Sequence, residues 1–281
     1  MKKITIIADS TCDLSEELKK EYGVKILPLY VNFENEVYKD GVDITPKELY
    51  AKVEQTKKLP KTSAASVGDY LTIFKEELDK GNDVLLITIS SFFSSTYQNS
   101  LLASQDFDSS RIEIVDSLNL SSGIGLLVLK ACKFRDSGLD IHQIKEKLLP
   151  IIPNVRSKFA VDSLEYLHKG GRCSGASRLF GTLLQIKPVI IVKDGKMDVA
   201  AKTHGKKKAL DYMLNDIIEN KDNVDLDHIM ITHTYADQEA EILKNKLIEI
   251  FPNARINITT AGCVISSHCG KGTIGILYIL K

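Results

Sequence analysis

The feature that most constrains the fold of this chain is a series of short runs that are apolar on both faces of a strand. Residues 84–89 read Val-Leu-Leu-Ile-Thr-Ile, and residues 4–8 read Ile-Thr-Ile-Ile-Ala. Runs of this kind are typical of parallel strands that are covered by helices on both sides. Helical patterns separate them along the first half of the sequence, as in a right-handed βαβ series. We therefore predict a parallel sheet in this half.

Helix starts in this half are marked by capping-box patterns, in which a side-chain oxygen caps the helix and an acidic residue follows three positions later. Thr45 and Ser66 both begin such a pattern. Asp13, with Glu16 three residues later, has it too. The sequence thus predicts that Asp13 caps a helix that runs to about Tyr22.

The pattern changes in the second half, where a hairpin interrupts the alternation of strands and helices. Asp194-Gly195 is a hairpin turn signal between the apolar runs 188–192 and 197–201. A hairpin within an α/β pattern predicts a mixed sheet. We predict an α/β protein of two domains, with a Rossmann-like parallel sheet in residues 1–155 and a mixed α/β sheet in residues 156–281.

The charge and the cysteine content disfavour several classes of function. Lys and Arg together number 37, as do Asp and Glu, so the formal net charge is zero and gives no electrostatic case for nucleic acid. Five cysteines occur without a C-x-x-C pair, which disfavours a zinc ribbon or a disulfide framework. We expect neither a metal nor a cofactor.

Membrane insertion is not expected from the sequence. No apolar stretch reaches the roughly 20 residues that a membrane span needs. The apolar run at residues 4–8 is too short for the core of a signal peptide and is interpreted as a buried strand. We therefore expect a cytoplasmic protein.

A dinucleotide-binding motif is suggested by residues 270–275, which match G-x-G-x-x-G letter for letter. Such a site needs a strand before the motif, a long helix after it and an acidic residue about 20 positions further on. The residues after Gly275 have the pattern of a strand instead. We therefore reject the motif. Neither a P-loop nor the G-x-S-x-G elbow of hydrolases occurs.

Four loops rich in serine and threonine follow strands or precede helices, at residues 9–13, 62–66, 90–96 and 116–123. In any one loop, helix capping explains the hydroxyl groups well. The cluster suggests more, because parallel strands deliver their loops to one edge of the sheet, where helix N-termini add free N–H groups. We predict a site for a carboxylate or a phosphate. Acyl transfer is not expected, because no histidine or acidic base follows these serines.

Two basic segments have competing interpretations. Arg172 follows Gly170-Gly171, a flexible turn that places it near a helix start, and a solvated arginine on a loop explains it equally well. Residues 202–208 are basic and include His204, and a solvated helix start is the better explanation on charge alone.

Taken in order along the chain, several segments resemble the motifs of the DegV family. Singly these motifs are weak, but together and in this order they are highly specific, and they span the sequence from end to end. They are Asp9-Ser10-Thr11-Cys12-Asp13-Leu14, Thr62-Ser63-x-x-Ser66, Ile89-Ser90-Ser91-x-x-Ser94-x-Thr96-Tyr97, Asp116-Ser117, Leu164-Glu165-Tyr166-Leu167-x-Lys169-Gly170-Gly171-Arg172, Ile186-Lys187-Pro188 and His268-x-Gly270-x-Gly272.

The DegV family is similar to the fatty-acid-binding subunit of bacterial fatty acid kinase. The resemblance implies a non-catalytic protein that holds a long-chain fatty acid, with the tail in a tunnel of the second domain and the carboxylate at the domain junction. It also implies that a separate ATP-dependent kinase subunit phosphorylates the presented carboxylate to an acyl phosphate. By position, Thr62, Ser94 and His268 would hold the carboxylate, and Arg172 and His204 would serve docking of the kinase.

A helix predicted at residues 174–185 supplies a candidate for part of the tunnel wall, although an ordinary core explains its apolar face equally well. That face comprises Leu179, Phe180, Leu183, Leu184 and Ile186. Phe93 stands where the family usually has leucine, Ala64-Ala65 where it has Gln-Pro, and His204 where it has arginine. The accepted chain length is therefore left open.

Two other interpretations of the site are considered. One is an enzyme that acts on a small carboxylated or phosphorylated metabolite, with Ser94 or His268 catalytic. A short, water-filled pocket rather than a long dry tunnel would distinguish it. The other is a regulatory binding module whose ligand state controls a partner, which only identification of that partner would distinguish.

Overall fold

The computed structural model describes residues 3–173 and 186–281. The strands, numbered along the chain, are β1 (Ile4–Asp9), β2 (Lys25–Leu27), β3 (Tyr30–Phe33), β4 (Glu36–Lys39), β5 (Lys61–Ser63), β6 (Asp83–Thr88), β7 (Ile112–Asp116), β8 (Val155–Ala160), β9 (Ile186–Lys193), β10 (Lys196–His204), β11 (Ile229–His233), β12 (Ile256–Thr260) and β13 (Ile274–Ile279). The α-helices of the described residues are α1 (Glu16–Tyr22), α2 (Pro46–Thr56), α3 (Val67–Asp79), α4 (Thr96–Ser104), α5 (Ser122–Asp136), α6 (Ile141–Leu148), α7 (Leu164–Gly170), α8 (Lys206–Glu219), α9 (Asp237–Ile250) and α10 (Cys263–Cys269).

The N-terminal half contains the predicted parallel sheet, with strand order β2-β1-β6-β7. Its central strands are buried on both faces, and Ile6, Ile7, Leu85 and Leu86 are fully buried. Burial on both faces explains why the sequence of these strands is apolar throughout instead of alternating. The prediction of an α/β fold with a covered parallel sheet is confirmed.

A second, antiparallel sheet of order β4-β3-β5 was not anticipated. Residues 24–33 have the pattern of one continuous strand, but they form two strands that belong to different sheets. Pro28 lies between them, and a proline has no N–H group to donate to a ladder. The break allows β3 to pair with β5, which carries Thr62.

The C-terminal half contains the predicted mixed sheet, with strand order β10-β9-β8-β13-β11-β12. Among the described strands of this sheet, only β11 and β12 are parallel neighbours, and the other pairs are antiparallel. The hairpin turn lies at Asp194 and Gly195, whose φ angles are 50° and 77°. Positive φ at both turn residues is what a tight hairpin between twisted strands requires.

The helix caps agree with the sequence at two of the three predicted positions. Thr45 and Ser66 form complete capping boxes at the starts of α2 and α3. Asp13 does not cap α1, and that prediction is wrong: Ser15 accepts the hydrogen bond from the Leu18 N–H instead. Asp13 has a left-handed φ of 49° and a buried carboxylate, which is used elsewhere.

The short helix α10 was not predicted, although it is central to the arrangement of the two halves. It connects β12 to β13 of the mixed sheet, but it packs against α2, α7, β3 and β5. One hydrophobic core extends across this contact and includes side chains from both large sheets. The division into domains at residue 155, where β8 begins, stays a prediction.

The helix predicted at residues 174–185 lies outside the described residues, and so do four of the five candidate tunnel residues. They are Leu179, Phe180, Leu183 and Leu184. The fifth, Ile186, begins β9 and is half-buried. Within the described parts of the chain, no helix is both long enough and apolar enough to cross a membrane.

Candidate ligand-binding site

Two of the three predicted head-group residues are in direct contact. Thr62 Oγ1 lies 2.8 Å from His268 Nε2. Thr62 is held by β5, where it is paired with Val31 of β3, and His268 lies in the last turn of α10. The packing of α10 against β5 therefore brings together side chains from opposite ends of the sequence.

The third residue, Ser94, lies in the loop between β6 and α4, at the carboxyl end of a parallel strand. Its Oγ is 2.7 Å from Thr96 Oγ1 and accepts a hydrogen bond of 3.3 Å from the Thr96 backbone N–H. This bond satisfies the first N–H group of α4, although the N-cap residue is Ser95, so a local role at the helix start explains part of the position of Ser94. Ser94 nevertheless lines the same cavity as Thr62 and His268.

We call this space the junction cavity, and its volume is about 290 Å³. Residues of both sequence halves line it. Its polar side includes Thr62, Ser63, Ser94, Ser95, Arg172 and His268. Its apolar side includes Leu29, Ile89, Leu120, Met197, Val264 and Ile265. The cavity thus combines hydroxyl and imidazole groups with a hydrophobic wall, which is the usual composition of a site for an amphipathic small molecule.

His268 is neutral at physiological pH. Burial, together with the smaller effect of the positive charge of Arg172, lowers its pKa from 6.5 to about 4. Its Nδ1 is buried and has no hydrogen-bond partner. A proton on Nδ1 would leave a buried donor unsatisfied, so we assign the proton to Nε2, the nitrogen beside Thr62.

Gly170 makes room for the imidazole. A Cβ atom at this position, in the last residue of α7, would overlap His268 Nδ1. The sequence suggested that Gly170-Gly171 is a flexible turn, which is correct for Gly171, the left-handed cap of α7 with φ of 69°. Close approach to a distant histidine, by contrast, leaves no local signal in the sequence.

The two residues predicted to dock a partner lie in different places. Arg172 is exposed and lies on the wall of the junction cavity, where its Nη1 donates to the Gly170 carbonyl at 2.7 Å. Its Nε donates to the Phe93 carbonyl at 3.5 Å, so it links α7 to the Ser94 loop. His204 is exposed at the end of β10 and is not among the residues found to line the cavity.

The four hydroxyl-rich loops do not all supply side chains to the cavity. Residues 62–64 and 93–95 line it, whereas the hydroxyl groups of loops 9–13 and 116–123 hold neighbouring segments. Ser10 Oγ, for example, accepts a hydrogen bond of 3.1 Å from the Leu29 N–H. Two of the four loops therefore supply hydroxyl groups to the cavity, and loop 116–123 contributes only Leu120 to its wall.

The glycine motif at residues 270–275 is not a dinucleotide site. It follows α10 and runs directly into β13, the reverse of the strand and helix order that such a site needs. Its rejection from the sequence is confirmed.

The described geometry suits binding of an anion better than covalent chemistry. Ser94 Oγ is bonded to a hydroxyl and a backbone amide, not to a general base. The neutral Nε2–H of His268 and the hydroxyl groups of Thr62 and Ser94 are hydrogen-bond donors that can satisfy a carboxylate without burial of a formal cation.

The comparisons with known proteins agree over the whole chain. The family model described as "Uncharacterised protein, DegV family" matches residues 3–281. A DegV domain-containing protein of Clostridium acetobutylicum is 36% identical over 281 residues, which cover 100% of both chains.

Two solved structures match the fold of this chain over nearly its whole length. A fatty-acid-binding DegV family protein from Thermus thermophilus has a TM-score of 0.90 at 32% identity, over 99% of this chain and 100% of its own. A stearic acid-binding protein from Eubacterium ventriosum has a TM-score of 0.88 at 30% identity, over 100% and 99% of the two chains. The chain described here is therefore a member of the DegV family.

Proposed function

We propose that this protein binds a long-chain fatty acid and holds its carboxylate with Thr62, Ser94 and His268. The observation that carries the proposal is the meeting of these three side chains on the wall of one cavity whose remaining wall is largely hydrophobic. Relatives of the same fold bind fatty acids, one of them stearic acid, which supports this ligand class.

The energetics of such a ligand fit the cavity. A carboxylate that leaves water loses hydration, and hydrogen bonds from two hydroxyl groups and an imidazole N–H offset that loss. Each buried methylene of the tail contributes roughly 0.8 kcal/mol. A long tail therefore supplies most of the affinity, and the polar groups determine which end of the ligand lies at Thr62 and His268.

We further propose that the protein is not itself an enzyme and presents the carboxylate to a separate ATP-dependent kinase subunit, which forms the acyl phosphate. Arg172 is exposed and lies on the wall of the cavity, so it can contact a partner that docks beside the head-group site. His204 is exposed as well and extends the proposed docking surface along β10. Cys12, Cys132, Cys263 and Cys269 are free thiols, which favours a reducing compartment such as the cytoplasm.

The direct test is mass spectrometry of small molecules released from the purified, denatured protein. A stoichiometric long-chain fatty acid is expected, and its mass gives the chain length and unsaturation. A His268→Ala, Ser94→Ala double variant purified in parallel should carry less of it. A polar metabolite in place of a lipid would contradict the proposal and favour an enzyme of small carboxylated or phosphorylated substrates.

A further inference from the structure

The helix that carries His268 is held at its first turn by two buried carboxylates from the N-terminal half. Asp13 Oδ1 accepts a hydrogen bond of 2.8 Å from the Gly262 N–H, and Asp40 Oδ1 accepts one of 2.7 Å from the Cys263 N–H. The first N–H groups of a helix have no partner within the helix, and negative charge is favourable beside them. These two hydrogen bonds therefore fix the start of α10.

The carboxylates are themselves held in place. Ser121 Oγ donates to Asp13 Oδ2 at 2.5 Å, and Ser10 Oγ donates to Asp40 Oδ2 at 2.9 Å. Each of the four carboxyl oxygens of the pair thus has a hydrogen-bond partner. The two side chains are only 5% and 3% exposed, so little water competes for these bonds.

The backbone conformation of Asp13 and of its hydrogen-bond partner Ser121 is also unusual. Asp13 and Ser121, which are bonded through their side chains, both have positive φ, 49° and 54°. Such a conformation is uncommon for residues other than glycine and persists where the surroundings over-determine it. Positive φ thus occurs at both partners of the hydrogen bond that holds the Asp13 side chain.

The space around Gly262 is narrow because both carboxylates converge on it. A Cβ atom at Gly262 would lie 3.1 Å from both Asp40 carboxyl oxygens and 3.3 Å from Asp13 Oδ1. Burial raises the pKa of Asp13 to about 8, so this group holds a proton at neutral pH, which relieves repulsion between the two acids.

The anchored turn and His268 belong to one short rigid element. The helix α10 has seven residues, and at about 1.5 Å of rise per residue its two ends are roughly 10 Å apart. A shift at its start therefore moves the imidazole relative to Thr62, which it contacts at 2.8 Å. Hydrogen bonds weaken steeply when their geometry is lost.

We propose that Asp13 and Asp40 are positioning residues of the head-group site: by anchoring Gly262 and Cys263, they determine where α10 places His268. The role for a bound fatty acid rests on the proposed function. The placement of His268 does not depend on the proposed function, and it can be measured in the ligand-free protein.

The experiment compares the imidazole ¹⁵N signals of His268 in ligand-free protein, assigned with a His268→Gln variant, and then measures oleate affinity. Asp13→Leu removes the acceptor and should shift the His268 signals and weaken oleate binding about tenfold. Asp13→Asn keeps an oxygen for the Gly262 N–H and should restore both readouts to within about twofold of the parent protein.

Glu77→Leu is the matched control, because Glu77 is also a buried carboxylate with several hydrogen bonds, none of them to α10. It should lower stability and leave the His268 signals in place. Equal shifts in Glu77→Leu and Asp13→Leu would mean general destabilisation and would overturn the inference.

Gly262→Ala is a second, milder variant that keeps both carboxylates and crowds them, and it decides the question should Asp13→Leu fail to fold. Unchanged His268 signals in the folded variants would also overturn the inference. If neither the parent protein nor any variant binds oleate, but the His268 signals still shift in the variants, the result would support the positioning role and contradict the proposed function.

Discussion

Thr62 Oγ1 and His268 Nε2 lie 2.8 Å apart, although 206 positions separate the two residues in the sequence. The contact joins β5 of the N-terminal half to α10, which connects two strands of the mixed sheet. Because a bound carboxylate would share these same groups, the affinity for ligand depends on how the two halves pack.

Removal of a single head-group donor should weaken fatty acid binding measurably. Ser94→Ala and His268→Ala are each expected to cost about 1–3 kcal/mol of binding free energy, the usual penalty for a lost buried hydrogen bond. Calorimetric titration with oleate measures it. Ser91→Ala is the control, since Ser91 lies in the same loop but is exposed and not among the cavity-lining residues. Unchanged affinity in both test variants would exclude them from the site.

Ligand binding should raise the pKa of His268. In the free protein, burial and the charge of Arg172 hold this pKa at about 4. A carboxylate beside Nε2 stabilises the imidazolium, so the bound pKa is higher and binding takes up protons. Affinity then falls as pH rises through the bound pKa. Titration of the His268 imidazole by NMR with and without oleate measures both values, and equal values would place the head group elsewhere.

Gly170→Ala should damage the site although it adds only one methyl group. The new Cβ would overlap His268 Nδ1, so either the imidazole or α7 must move. We expect a loss of about 1–3 kcal/mol in the free energy of unfolding, as for overpacked cores, together with weaker oleate binding. Gly68→Ala in α3 is the control, because a Cβ there makes only an ordinary 3.6 Å contact. Equal behaviour of the two variants would show that the close approach at Gly170 has no consequence.

The stability of the protein should depend on pH through Asp13. Its pKa is raised by burial from 3.8 to about 8, so between these values the folded chain keeps a proton that the unfolded chain releases. The free energy of unfolding therefore falls as pH rises and levels off above about 8, with a slope of at most about 1.4 kcal/mol per pH unit from this group. The Asp13→Asn variant has no titrating group at this position. Its free energy of unfolding, measured by urea denaturation, should therefore rise relative to that of the parent protein as the pH increases over this range. A constant difference would mean that Asp13 is ionised throughout.

Arg172→Ala and His204→Ala should separate ligand binding from docking of the kinase. Both are expected to retain oleate affinity within about threefold, since neither is assigned a buried hydrogen bond to the carboxylate. Acyl phosphate formation with the partner kinase subunit should fall in both, and Lys221→Ala, an exposed basic residue, should change neither property. A large loss of oleate affinity in Arg172→Ala would reassign Arg172 to the head-group site.

The elements that the sequence predicts correctly are those whose cause is local. The apolar runs of β1 and β6, the hairpin at Asp194-Gly195 and the capping boxes at Thr45 and Ser66 depend on neighbouring residues only, so they can be recognised in the sequence. Asp13 has the same local pattern as Thr45 and Ser66 but a different role, because its carboxyl group accepts a hydrogen bond from the Gly262 N–H, 249 positions away.

The sequence by itself determined the fold class and the family, and it singled out Thr62, Ser94 and His268 as candidate head-group residues, since these inferences depend on local periodicity and on motifs. Only the tertiary structure decided that α10 packs against the N-terminal half, that Gly170 makes room for His268 and that Asp13 and Asp40 hold Gly262 and Cys263. The physical reason is that unpaired backbone groups and buried side chains find partners by proximity in space. Local sequence patterns carry no information about which distant segment supplies them.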